Sequence, residues 1–161
     1  MNLSELNVRL LKLGLVTKLY INQSLKSVGL HNGQMQILNF IKQHPNCTQI
    51  EISQALNVSP ASIALTTKKM DKNHLIKKTI EEDNLRCKHL DLTEKGEGLI
   101  SECITLFNER DEKMYKGFSE EELKVFASFI DRITTNLTNE DVNIISEETV
   151  TELLKDVESI E

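Results

Sequence analysis

The sequence predicts a mainly α-helical protein with one small β-hairpin, and three observations carry that prediction. Apolar residues recur at helical spacing through most of the 161 positions. The periodic segments open on capping residues, among them Thr48, Ser59, Thr93 and Ser119. Only residues 75–92 change to a strand-like pattern, split by the polar tip Glu81-Glu82-Asp83-Asn84.

Residues 3–28 form a first long helix. Leu3, Leu6, Leu10 and Leu13 share one line, continued by Val16, Leu19 and Tyr20, while Leu11, Leu15, Ile21 and Leu25 make a second. One partner needs one stripe, so two stripes predict burial against more than one neighbour. Val28-Gly29 closes this helix. Asn32 to Gln43 is the next, with Met35, Leu38 and Ile41 inward, and His44-Pro45-Asn46 ends it.

Thr48 to Asn73 is read as two short helices around the tight turn Asn57-Val58. Thr48 and Glu51 have the spacing of a capping box, in which each side chain satisfies the other residue's backbone N–H. Ile52, Ala55 and Leu56 face inward. Asn57 tolerates the left-handed conformation that ends such a helix. Ser59 caps the second helix, and Pro60 takes its first position, where a missing N–H costs nothing.

That second helix has a thin inward stripe of Ile63, Thr67 and Met70. Ala61, Ser62, Ala64, Leu65 and Thr66 are small or neutral, and Lys68, Lys69 and Lys72 follow. Short hydroxyl and methyl groups can approach base edges, leaving the lysines for phosphates. This is the recognition-helix layout of a helix-turn-helix. A plain helical hairpin in a small bundle would also explain this stretch; the flanks decide.

Leu75 to Ile80 and Cys87 to Leu92 form the two strands of a hairpin whose loop exceeds two residues. A hairpin directly after a recognition helix is a wing, and Lys77, Lys78, Arg86 and Lys88 make its sides basic. A wing can place an arginine in the minor groove. Taken alone, the same lysines could serve only to guard strand edges. Thr93 then caps a long helix to about Lys116, with Leu99, Cys103, Leu106, Phe107 and Met114 at helical intervals and Gly117 as the stop. Ser119 and Glu122 form a second capping box. Behind it Leu123, Phe126, Ile130, Ile133 and Leu137 step by three and four, the seam of a helix packed along a partner. The economical architecture is a winged helix-turn-helix whose long N- and C-terminal helices build a homodimer. Two-fold symmetry would match a near-palindromic site with half-sites about 34–36 Å apart.

Charge is distributed to suit that arrangement. Residues 1–30 sum to +3, residues 31–95 to +2 and residues 96–161 to −11, which together make the net −6. The acid lies away from the recognition helix. Residues 138–161 alone carry eight acidic residues and one lysine. Ser146 could cap a helix there with Val150, Leu153, Leu154 and Val157 on one face. Three cysteines at 47, 87 and 103 show no paired spacing, and no apolar run suits a membrane span or a signal segment. The expected location is the cytoplasm.

In this order and spacing the motifs resemble the MarR family (multiple-antibiotic-resistance regulators) of bacterial transcription factors. They are Leu30, Gln34 and Leu38; Thr48-Gln49-Ile50-Glu51-Ile52-Ser53; Val58-Ser59, Ile63 and Met70; Leu75-Ile76-Lys77-Lys78; Asp83-Asn84-Leu85-Arg86; and Leu92-Thr93-Glu94-Lys95-Gly96. The resemblance implies three segments: an N-terminal dimerisation helix (1–30), a winged helix-turn-helix domain (31–95) and C-terminal dimerisation helices (96–137); the acidic extension (138–161), read from its apolar stripe as a helix, lies beyond the family's usual end. It implies that Ser59, Pro60, Ala61, Ser62, Leu65, Thr66, Lys68, Lys69 and Lys72 meet double-stranded DNA from the recognition helix. Lys78, Asn84, Arg86 and Lys88 would do so from the wing. It implies a repressor, with release by a small-molecule effector that favours a DNA-incompetent lobe spacing. There are departures from the family pattern. Ala64 and Leu65 replace a usual Thr and Arg, His74 a usual glycine, and Lys78 a usual arginine. Asn84 stands at the acid position before Arg86.

Other chemistries find less support. Cys87, between Arg86 and Lys88, is a candidate redox thiol, so a redox-responsive or protein-interaction regulator without a small-molecule effector is the alternative. For a metal, His31, His44 and Cys47 form one weak grouping and Cys87 with His89 another, and neither has enough ligands. No phosphate loop, nucleophile elbow or Ser/His/Asp set is present, so neither an enzyme nor a bound cofactor is expected.

Overall fold

The helical spacing becomes six helices among the described residues, and the one change of period becomes a small sheet. The computed structural model describes residues 2–81 and 84–138, the side chains of residues 80–87 excepted. The helices are α1 (Leu3–Ser27), α2 (Asn32–Gln43), α3 (Gln49–Ala55), α4 (Pro60–Lys72), α5 (Glu94–Met114) and α6 (Glu120–Thr138). The strands are β1 (Cys47–Thr48), β2 (Ile76–Glu81) and β3 (Asn84–Leu92). The expected helix over the acidic tail lies outside the described residues, as do Glu82 and Asp83 at the hairpin tip.

Two compact units divide the chain, residues 1–112 and residues 113–161. In the first, a continuous core joins Leu25 at the end of α1, Leu38 and Ile41 of α2, Ile52 of α3, Ile63 and Met70 of α4, Leu90 of β3 and Ile100 of α5. The N-terminal two-thirds of α1 adds little to it: Leu3, Leu10, Leu11, Leu13, Leu15, Val16 and Leu19 are all exposed. In the second unit α6 buries no residue, and Val125, Phe129, Ile130, Ile133 and Leu137 stand exposed along it. The Ser119–Glu122 capping box forms, with Glu122 Oε2 accepting from the Ser119 N–H at 2.8 Å. Gly117 takes the left-handed conformation at φ 90°.

The sheet differs from the expected hairpin in two respects. β1 is a third strand, pairing Cys47 with Leu90 and Thr48 with His89, so that the order is β1-β3-β2. Two residues carry no period of their own and so leave no pattern to read. β3 also starts at Asn84 rather than Cys87. A register shift between Ile80 and Glu81 lets pairing resume at Glu81 opposite Asn84, so the strands reach closer to the tip.

Among the described residues, three that are not glycine adopt positive φ: Asn46 (64°), Asn57 (50°) and His74 (59°). Asparagine bears this well, histidine less so. His74 ends the turn after α4, its N–H donating to Asp71 O at 2.9 Å, and its side chain is exposed. His74→Gly is therefore expected to stabilise the protein by about 1 kcal/mol through relief of that conformation. A rise in the urea midpoint at unchanged slope would show it.

Candidate nucleic-acid interface

Local hydrogen bonds build the helix pair at its corner. The Thr48 N–H donates to Glu51 Oε2 at 2.6 Å, and the Glu51 N–H donates to Thr48 Oγ1 at 3.3 Å. The Thr48 hydroxyl also donates to Glu51 Oε2 at 2.9 Å, and the bonds from the Thr48 N–H and hydroxyl hold the Glu51 carboxyl below its ordinary value of 4.5. A depressed carboxylate contributes stability above its unfolded pKa and loses it as pH falls through the folded one. Glu51→Gln should accordingly be less stable than the wild type at pH 7, and the difference should shrink as the pH is lowered past the ordinary carboxyl value of 4.5 and through the depressed one. Paired urea titrations across that range measure it.

Between the helices, Asn57 makes the left-handed turn. Ser53 Oγ donates to Val58 O at 2.7 Å, and the Val58 N–H donates to Ser53 O at 3.1 Å. Ser59 caps α4 by accepting from the Ser62 N–H, and Pro60 holds the first helical position. The expected inward line is realised, with Ile63, Thr67 and Met70 all buried. Ala55 and Leu56 are half-buried beside Ile52.

Thr67 is buried because its hydroxyl is fully used. It donates to Ile63 O at 2.8 Å and accepts from Gln49 Nε2 at 2.6 Å. That second bond ties α3 to α4, and no periodicity announces it. The segment before β1 is tied in a similar way: Asp91 Oδ1 accepts from the Asn46 N–H at 2.8 Å, and His89 Nδ1 lies 2.8 Å from Asn46 O.

The solvent side of α4 gathers the expected contact residues. Ala61, Leu65, Lys68 and Lys72 fall on the line opposite the buried one, flanked by Ser62 and Lys69, and all six are exposed; Thr66 is half-buried at the margin. Small groups thus occupy the first two turns and ammonium groups the last two. Three successive carbonyls after the helix are bonded from the start of α5. Asn73 O accepts from Lys95 Nζ at 3.0 Å, His74 O from Thr93 Oγ1 at 2.6 Å, and Leu75 O from the Thr93 N–H at 3.2 Å. The lysine also suits the negative end of the helix dipole.

On the wing, Lys88 is exposed. Lys78 lies two residues after buried Ile76 on the same side of β2, and its ammonium is 3.5 Å from the Asp71 carboxylate of α4. Part of its charge is therefore already met. Asn84, Arg86 and Cys87 lie on β3, and their side chains fall outside the described ones.

The two described thiols are poor nucleophiles. Burial and the nearby Glu51 push Cys47 up to about 11, and burial also raises Cys103. Among the described residues no group of three or more His, Cys, Asp and Glu side chains is placed to hold a metal, and no helix is long and apolar enough to cross a membrane.

Comparison with known proteins agrees with this geometry. The model of the MarR family matches residues 30–88. Over 107 residues the chain is 29% identical to the HTH-type transcriptional regulator BilQ of Clostridioides difficile, covering 66% of this chain and 72% of BilQ. In fold it is similar to YusO of Bacillus subtilis, with a TM-score of 0.76 at 20% identity over 82% of this chain and 94% of YusO. It is similar also to a variant of S. aureus MepR bound to an oligodeoxyribonucleotide, with a TM-score of 0.65 at 20% identity over 85% and 99%.

Proposed function

We propose that the chain is a DNA-binding transcriptional regulator of the MarR family, whose model matches residues 30–88, and that it acts as a cytoplasmic homodimeric repressor. Each copy seats α4 in the major groove of one half of a near-palindromic promoter site and its wing in the adjacent minor groove. The observation that carries this reading is the division of α4. Its inward line is buried in the core, while short side chains and then three lysines face solvent. Phosphate contacts from the lysines would fix register, and the small side chains would meet base edges. The oligodeoxyribonucleotide bound to MepR supports the same class of partner.

The dimer is supported by the uncovered apolar lines. Leu3 is 79% exposed on α1 and Leu137 80% on α6, each at the end of a series of exposed aliphatic residues. Apolar surface on that scale marks an interaction site. Effector release belongs to the proposal as a population shift between lobe spacings. Within the first unit, a cleft of about 270 Å³ is lined by Ile41, Lys42, Pro45, Lys77, Asp91, Leu92 and Glu97. It is small for a drug-sized ligand, and its two lysines are matched by the carboxylates of Asp91 and Glu97.

Two measurements test the proposal together. The purified protein should sediment as a dimer at micromolar concentration, and it should retard a duplex taken from upstream of its own gene. A monomer, or binding that does not discriminate this duplex from random competitor at moderate salt, would overturn it.

A further inference from the structure

We infer that Leu65 reads a C5-methyl group, so that each half-site presents a thymine beneath the second turn of α4. The inference rests on the proposed seating of α4 in the major groove and says what that groove must contain. The isobutyl group of Leu65 is 57% exposed, on the line of α4 directly opposite its buried residues. Ala61 precedes it on that line and Lys68 follows, both exposed.

A leucine neither donates nor accepts hydrogen bonds. Against a purine N7, a guanine O6 or an exocyclic amine it would remove water and return nothing. The thymine methyl is the apolar group that the major groove offers, and burying it against Leu65 turns the exposed side chain into a source of affinity. Ser62, three residues earlier on the adjoining line, completes the pattern. Ser59 Oγ donates to Ser62 Oγ at 2.9 Å, so the Ser62 hydroxyl keeps its own proton for an outside acceptor. An acceptor beside a methyl is what thymine presents, as O4 next to the C5-methyl group.

The test starts from duplexes that the full-length protein selects from a random-sequence pool. The selected duplex is resynthesised with deoxyuridine for thymidine, which removes the methyls alone. Wild type should bind the deoxyuridine duplex about fourfold more weakly for each contacted methyl, whereas Leu65→Ala should bind the two duplexes equally. Leu65→Met, which keeps an apolar side chain, should retain the discrimination. Because Leu65 lies outside the core, none of these variants is expected to disturb folding. Equal binding of both duplexes by wild type overturns the methyl readout and leaves groove recognition standing, and so does undiminished discrimination by Leu65→Ala. Failure to enrich any sequence overturns groove recognition, and this inference with it.

Discussion

Gly96→Ala is expected to lose about 3 kcal/mol or more of folding stability, a large share of the roughly 5–15 kcal/mol typical of a domain. Gly96 is buried in the first turn of α5, and a Cβ built there would overlap the carbonyl oxygen of Leu75. The obstacle is backbone, which has no rotamer to escape into. That carbonyl already accepts from the Thr93 N–H, and its two predecessors are held by Thr93 Oγ1 and Lys95. Moving it aside would break the stitching that ends α4 and starts α5. Gly98, two residues on in the same helix, is the control: nothing lies within 4 Å of a Cβ placed there. Gly98→Ala should gain up to about 1 kcal/mol from helix propensity alone. Urea unfolding followed by circular dichroism compares the two, and equal midpoints would refute this account of the junction.

The contrast between these glycines shows where the sequence was legible. Features closed within three or four residues could be read directly. The Thr48–Glu51 and Ser119–Glu122 boxes, the Ser59–Pro60 start and the Ile63–Thr67–Met70 line all formed as expected because each partner lies within one helical turn. Ties across the chain could not be read that way. Gln49 to Thr67, Asp91 to Asn46 and Lys95 to Asn73 join residues 18 to 45 positions apart, and their side chains fit a solvated surface equally well. Lys78 is the informative case at the site. Its charge suggested DNA, and only the packing of β2 on α4 showed Asp71 beside it. Ile100 was missed as a core residue because it adjoins Leu99, which the spacing favoured; the helix turns Ile100 fully inward and leaves Leu99 half-buried. On α1 the two apolar lines were plain in the sequence, yet a single chain covers only the Ile21 and Leu25 end of the second. Their use depends on the proposed second copy.

The triple variant Lys68→Ala, Lys69→Ala, Lys72→Ala should lower affinity for a selected duplex by roughly a hundredfold at physiological salt while leaving its order of preference among sequences intact. All three lysines are exposed on α4, so their removal is expected to leave the fold in place. Each phosphate neutralised by a lysine releases condensed counterions, and the plot of log affinity against log salt steepens by about 0.9 per contact. Losing three should flatten the plot by nearly three such steps, and the variant's deficit should shrink as salt rises. Base readout behaves differently: a lost contact changes which duplex wins and barely alters the slope. Measuring affinity for the selected duplex and for single-base variants across a salt series separates the two roles. If the slope holds while the preference changes, the lysines face bases and α4 is turned about its axis from the placement proposed. If neither changes, α4 does not lie against the duplex.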